Sequence, residues 1–192
     1  MPIPISYAVL AKKLADARSW AINVTEGNRC ALVVGTALGI QPRKALGETT
    51  FRDLPNSHLA MPKQPFLDKF YVKAGQLRDG IAARHGAPDV EGAGRAVFPR
   101  LANRRGVAYL EDCWVTPTDD TMNTIRTIGW GMADDPRGDL PRPTPQATGD
   151  HIDLFDGTWL EIYRGKGTPD DLTYCGSLIK ASAKVCFWET PP

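Results

Sequence analysis

The sequence has no apolar stretch near the roughly 18 residues that a membrane-spanning helix needs, so no span is expected. It also lacks an excess of either charge. Lys and Arg number 23 and Asp and Glu 22, a formal net charge of +1. That balance gives no basic face for nucleic acid and no acidic tail. The start, MPIPISYAVLAKKLADARSW, lacks a basic region followed by an apolar block, because Lys12 and Lys13 interrupt it. It reads as an amphipathic helix and not as a secretory signal. Cys30, Cys113, Cys175 and Cys186 include no CxxC pair, and His58, His85 and His151 share no HExxH spacing. Neither a metal nor another cofactor is expected from such spacings.

What is present is an ordinary globular composition. The chain has 192 residues, 42% hydrophobic and 23% charged, which suits one substantial core. A single domain over residues 1–192 is expected, with a loop insertion at 115–148 rich in Pro, Asp, Gly and Thr.

A first helix is expected over Ser6 to Ala21, where Tyr7, Leu10, Leu14 and Ala17 recur at helical spacing. A second should run from Cys30 to Leu38, stopped by Gly39 and Pro42. Residues 41–67 read as a long loop and KFYV at 69–72 as a short strand. Residues 74–86 read as a helix with Gly86 as its C-terminal cap, placing His85 where a cation is favourable.

Beyond that the pattern changes. RGVAYLEDCWV, DHIDLF, TWLEIY and KVCFWE are strand-like, and Asp156-Gly157 splits the middle two as a hairpin turn. Helices followed by strands point to an α+β fold with N-terminal helices packed on an antiparallel sheet.

The chemistry is expected at Cys30. A helix N-terminus favours a thiolate, and its unpaired N–H groups can hold an oxyanion. A buried structural cysteine would also fit the apolar run NRCALVVGTALG. His151 opens a strand after Gly149-Asp150, and a Cys on an early helix with a His on a later strand is the order of cysteine hydrolases. A carboxylate should orient the imidazole. With a three-residue turn at 156–158, Asp153 and Glu161 fall opposite each other on the face of His151. Glu161, on the neighbouring strand, ranks first and Asp153 second. Trp114 and Trp130 are candidates for walling a cleft. Cys175 and Cys186 either form a bridge between neighbouring strands or stay reduced like Cys113, which alternates with Glu111 and Tyr109.

NRCALVVGTALG, KFYVKAGQLRDGIAARHGAPDV, RRGVAYLEDCW, GDHIDLFDG and KVCFWETP, in that order, resemble the type VI secretion amidase effectors. The family's Gly-His-apolar-x-Leu-aromatic-x-Gly block is matched from Asp150 to Gly157, with Asp150 in place of Gly. An Arg usual in the cysteine helix is Val33 here, and the Cys-x-Asp-x-x-Cys loop that carries a third catalytic residue is missing.

The resemblance implies a papain-like, NlpC-type fold and a peptidoglycan-cleaving cysteine amidase. It implies Cys30 and His151 as the reactive pair and peptide stems as substrate, with cleavage between D-glutamate and diaminopimelate. It further implies injection by the secretion machinery, action in a target cell's periplasm, and a cognate immunity protein as partner. The alternatives are another NlpC-type peptidase, such as a housekeeping enzyme or phage lysin, and a non-catalytic binding module on the same fold.

Overall fold

A computed structural model describes residues 3–22, 30–41, 70–71, 73–115, 147–161, 176 and 178–192. Among the described residues three helices come first: α1 (Tyr7–Ile22), α2 (Cys30–Leu38) and α3 (Ala74–His85). Then follow β1 (Val90–Gly92), the short α4 (Gly94–Val97) with a 3-10 turn at Phe98–Leu101, β2 (Gly106–Val115), β3 (Ala147–Phe155) and β4 (Lys184–Glu189). The four strands form one sheet in the order β1-β4-β2-β3. Every pairing is antiparallel, so the α+β reading holds. No described helix is long and apolar enough to cross a membrane.

Strand alternation divides the core into two layers. Val107, Tyr109, Ile152, Leu154, Cys186 and Trp188 join the apolar stripes of α1, α2 and α3. Ala108, Leu110, Phe155, Val185 and Phe187 join Val97, Leu101, Leu160, Leu178 and Ile179. Within the first layer α2 is nearly all buried, from Ala31 to Leu38 except Thr36. A helix apolar on all sides has to lie inside, and α2 lies against α1, α3 and β3. Gly39 ends it with φ +65°, a conformation that glycine adopts without a steric penalty. Arg84 of α3 donates to the Gly39 carbonyl at 2.9 Å and so fixes that end.

Several expectations need correction. Phe70 and Tyr71 are not in a strand, and Lys69 and Val72 lie outside the described residues. Both aromatics instead pack on the helical layer. β1 and α4 were not anticipated, because three- and four-residue elements carry too little periodicity. β3 starts at Ala147, three residues before the expected Asp150, and pairs Val115 with Ala147. The ends of the insertion are thus held together, while residues 116–146, Trp130 among them, lie outside the described residues.

TWLEIY does not form a strand over the residues described. Phe155 bridges Leu160, and Glu161 has 3-10 conformation. The Asp156 carboxylate accepts N–H bonds from Thr158 (2.8 Å) and Trp159 (2.6 Å), and the Asp156 N–H reaches the Trp159 carbonyl. This four-residue turn moves the pairing by one position, so Asp153 and Glu161 are not cross-strand partners.

Cys113 does not share a face with Tyr109, because a bulge in β2 shifts the register between Leu110 and Trp114. Cys113 is buried in the second layer and Tyr109 in the first. Cys186 is a thiol, so the bridge is not formed. Its side chain packs in the first layer, whereas Leu178 and Ile179 lie in the second. Cys175 lies outside the described residues. His85 is buried, and burial together with neighbouring Arg84 lowers its pKa, so the cation expected at the helix end is disfavoured.

Gly106 gives a test of the sheet. It sits in β2 between Phe155 and Glu189, and an added Cβ would fall 2.0 Å from the Trp188 carbonyl oxygen. Backbone has to move to admit it. Gly106→Ala should destabilise by about 3 kcal/mol and lower Tm by roughly 6–12 °C in a calorimetric scan. A change below about 2 °C would show that these strands do not approach as described.

Candidate active site

Cys30 is the first residue of α2 and is half-buried. The apolar run behind it drives α2 into the core, which leaves the thiol at the helix mouth. β3 supplies His151 and Asp153, whose side chains are both 4% exposed. Two residues apart on a strand, they point to the same side. The structure brings Cys30 and His151 together: the thiol lies near enough to the imidazole to help raise its pKa. On the same ring, Nε2 lies 3.9 Å from Asp153 Oδ2, an ion-pair contact longer than a hydrogen bond.

These contacts set the charge of the ring. Burial alone would push the His151 pKa down. Interactions with Asp153 and Cys30 outweigh it and raise the value to about 9. The protonated imidazole is therefore favoured at neutral pH, with Asp153 and Cys30 as its neighbours. Its pKa lies above the unfolded value near 6.5. The stabilisation from the charged ring is thus complete below that value and is lost as pH rises through about 9.

Asp153 is held in turn. Arg18 of α1 contacts both its oxygens through one guanidinium nitrogen, at 3.3 and 3.5 Å. The other terminal nitrogen of Arg18 donates to the Glu161 backbone carbonyl at 3.0 Å. The Leu154 N–H donates to Asp153 Oδ1 at 2.9 Å. A buried carboxylate without such partners would be costly. Glu161 is also buried, and the Tyr7 hydroxyl donates to its Oε1 at 2.7 Å. The carboxylate placed at the ring is thus the one ranked second in the sequence, and Glu161 is engaged by α1.

Arg18 was not anticipated. A signal for it existed. Tyr7, Ala11, Leu14 and Arg18 follow helical spacing, so a cation ends an otherwise apolar stripe and invites a buried anion opposite.

The other described thiols are different. Burial pushes Cys113 well above its ordinary pKa, and the nearby Cys30 and Asp150 charges add to this. Burial, with Glu91, pushes Cys186 up to about 11. Both stay protonated and shielded, whereas Cys30 stands half-exposed beside an imidazolium. His58 and the side chain of Trp114 lie outside the described part of the structure. Among the described residues no three His, Cys, Asp or Glu side chains are grouped so as to hold a metal ion.

Such an arrangement can perform acyl transfer. It has a thiol at a helix N-terminus, a protonated imidazole beside it, and a carboxylate that orients and charges the ring. No family model matches the chain, and no curated protein matches its sequence.

Proposed function

We propose that the protein is a cysteine hydrolase of papain-like, NlpC type that cuts an amide in the peptide stem of peptidoglycan. One observation carries the hydrolase reading: a half-exposed cysteine at the first position of α2 in contact with a buried histidine. The substrate follows from the resemblance to type VI secretion amidase effectors. The bond is that between D-glutamate and diaminopimelate, the place of action is the periplasm of a target cell after injection, and a cognate immunity protein blocks the enzyme.

The mechanism uses the residues already placed. Cys30, as thiolate beside the His151 imidazolium, attacks the amide carbonyl. The N–H groups of the first turn of α2 stabilise the oxyanion. His151 gives its proton to the leaving amine, and a thioester to Cys30 remains. His151 then takes a proton from water, the resulting hydroxide attacks the thioester, and the acid and thiolate are released. Asp153 keeps the ring oriented throughout and favours its charged form whenever it carries the proton.

Digestion of purified peptidoglycan followed by mass spectrometry tests the reading. After the glycan strands are cut with a muramidase, the expected products are disaccharides whose attached stem ends in D-glutamate and a fragment with a new free amine on diaminopimelate. An unchanged fragment profile after prolonged digestion would overturn it.

The pH profile checks the role of the imidazolium. The form that protonates the leaving amine disappears as pH rises through about 9. kcat/KM should therefore fall on the alkaline side with an apparent pKa near 9, about tenfold per pH unit beyond it. A rate that keeps rising through pH 9 would show that the neutral ring is the required form.

A further inference from the structure

Asp150, immediately before His151, is not needed by the mechanism above, yet it is tied to two other elements. Its Oδ2 accepts the Tyr109 hydroxyl at 2.7 Å, and its Oδ1 accepts the Asp112 N–H at 3.1 Å. Asp112 lies inside the β2 bulge with φ +49°, a left-handed conformation that few residues other than glycine adopt. Tyr109 is itself held. The Arg78 guanidinium lies 4.9 Å from the centre of its ring, and one of its nitrogens is 3.4 Å from the hydroxyl. The carboxylate also abuts the first turn of α3, where a Cβ on Gly75 would lie 3.3 Å from Oδ2. A charged oxygen near that end of a 12-residue helix is electrostatically favourable.

The pairing shows what this accomplishes. Leu110 faces His151 and Trp114 faces Gly149, so β2 spends two extra residues where β3 enters the site. A bulge of this kind bends a strand and re-aims its neighbours. Left without a side-chain acceptor, the Asp112 N–H would have to find another, and β3 would be released just ahead of the histidine.

We propose that Asp150 is a positioning residue: its carboxylate clamps the β2 bulge and Tyr109 to the start of the His151 segment and so sets the imidazole against Cys30. The inference rests on the Cys30–His151 pair but not on peptidoglycan as substrate. The clamp needs oxygen acceptors more than it needs charge. An asparagine keeps one acceptor for the Asp112 N–H, and its amide N–H can donate to the Tyr109 oxygen. Alanine keeps neither. Around the pair, the charged groups are Asp153 with Arg18 on the ring side and Asp112, Glu111 and Arg78 on the clamp side.

The test compares Asp150→Ala, Asp150→Asn and Tyr109→Phe with wild type by two readouts. The first is the pH dependence of Cys30 alkylation by iodoacetamide, located by peptide mass mapping. The second is peptidoglycan digestion. Asp150→Ala should lower kcat/KM by roughly 10–100-fold with little change in KM, the scale of a displacement of about 1 Å. It should also bring the His151-linked step in the alkylation profile down from about 9 towards 6.5. Asp150→Asn should stay within about threefold of wild type in both readouts, with Tyr109→Phe between them. Asp150→Asn behaving like Asp150→Ala in the alkylation profile would overturn the clamp in favour of a direct charge effect. So would wild-type behaviour of Asp150→Ala. Should Asp150→Ala fail to fold, as read by circular dichroism, Asp150→Asn and Tyr109→Phe decide the matter. A weakened Tyr109→Phe beside an intact Asp150→Asn supports the clamp, and the reverse order refutes it. Alkylation needs no substrate, so wild type that shows the His151-linked step but leaves peptidoglycan intact overturns the substrate and spares the clamp.

Discussion

On the proposed reading, Cys30→Ala should yield a folded protein that does not cleave peptidoglycan. Removal of the nucleophile leaves only the oxyanion donors and binding, so the rate should drop by at least about 10³-fold. The fold should survive for local reasons. Cys30 is the first residue of α2 and half-exposed, and the burial that holds the helix comes from Ala31 to Leu38. Alanine is the best helix former and removes only one sulfur from the edge of the core. Tm should therefore stay within a few degrees of wild type, on the scale of about 1 kcal/mol. Cys30→Ser should be nearly as inactive, because a hydroxyl is far less acidic than a thiol and a weaker nucleophile. The check is release of muropeptides by each variant, alongside thermal unfolding followed by circular dichroism. A Cys30→Ala protein that keeps more than about a hundredth of wild-type turnover would remove Cys30 from the chemistry.

The elements that position Cys30 were the most legible in the sequence. α2 and β4 have the bounds that their patterns predict, since one is apolar throughout and ends at a glycine, and the other is a short aromatic and β-branched run. α1 is shifted by one residue at each end, within the ordinary fraying of helix termini. The pairing of Cys30 with His151 was legible from residue types and order. What decided its surroundings was not local. The turn after β3 takes four residues because Asp156 folds back on two backbone N–H groups, and that single extra residue carries Glu161 away from Asp153. The β2 bulge is stabilised by Asp150, a residue 38 positions away from Asp112, and it moves Cys113 to the opposite layer. Strict alternation of apolar and polar residues cannot register an event whose cause lies on another strand.

Those same displacements decide which carboxylate partners the imidazole. Asp153→Asn should lower kcat/KM by about 10²–10⁴-fold, because an amide neither stabilises imidazolium nor fixes the ring as a carboxylate does. Glu161→Gln should cost at most about tenfold, since its carboxylate accepts the Tyr7 hydroxyl and an amide oxygen can do the same. The pH profiles should separate the two further. In wild type the Asp153 carboxylate helps to raise the His151 pKa to about 9. Without that charge the protonated ring is less favoured, so the alkaline fall of Asp153→Asn should begin at lower pH. In Glu161→Gln it should stay where it is. Asparagine is nearly isosteric with aspartate and retains an acceptor for the Leu154 N–H, so the backbone of β3 should hold. It cannot neutralise Arg18, and some loss of stability is expected because, among the described residues, that guanidinium keeps the Glu161 carbonyl as its remaining hydrogen-bond partner. Unfolding curves recorded beside the kinetics distinguish that loss from a catalytic one. The opposite pattern, with Glu161→Gln inactive and its alkaline limb displaced while Asp153→Asn is not, would make Glu161 the orienting group. Asp153 would then serve only to anchor Arg18 and α1 to the sheet.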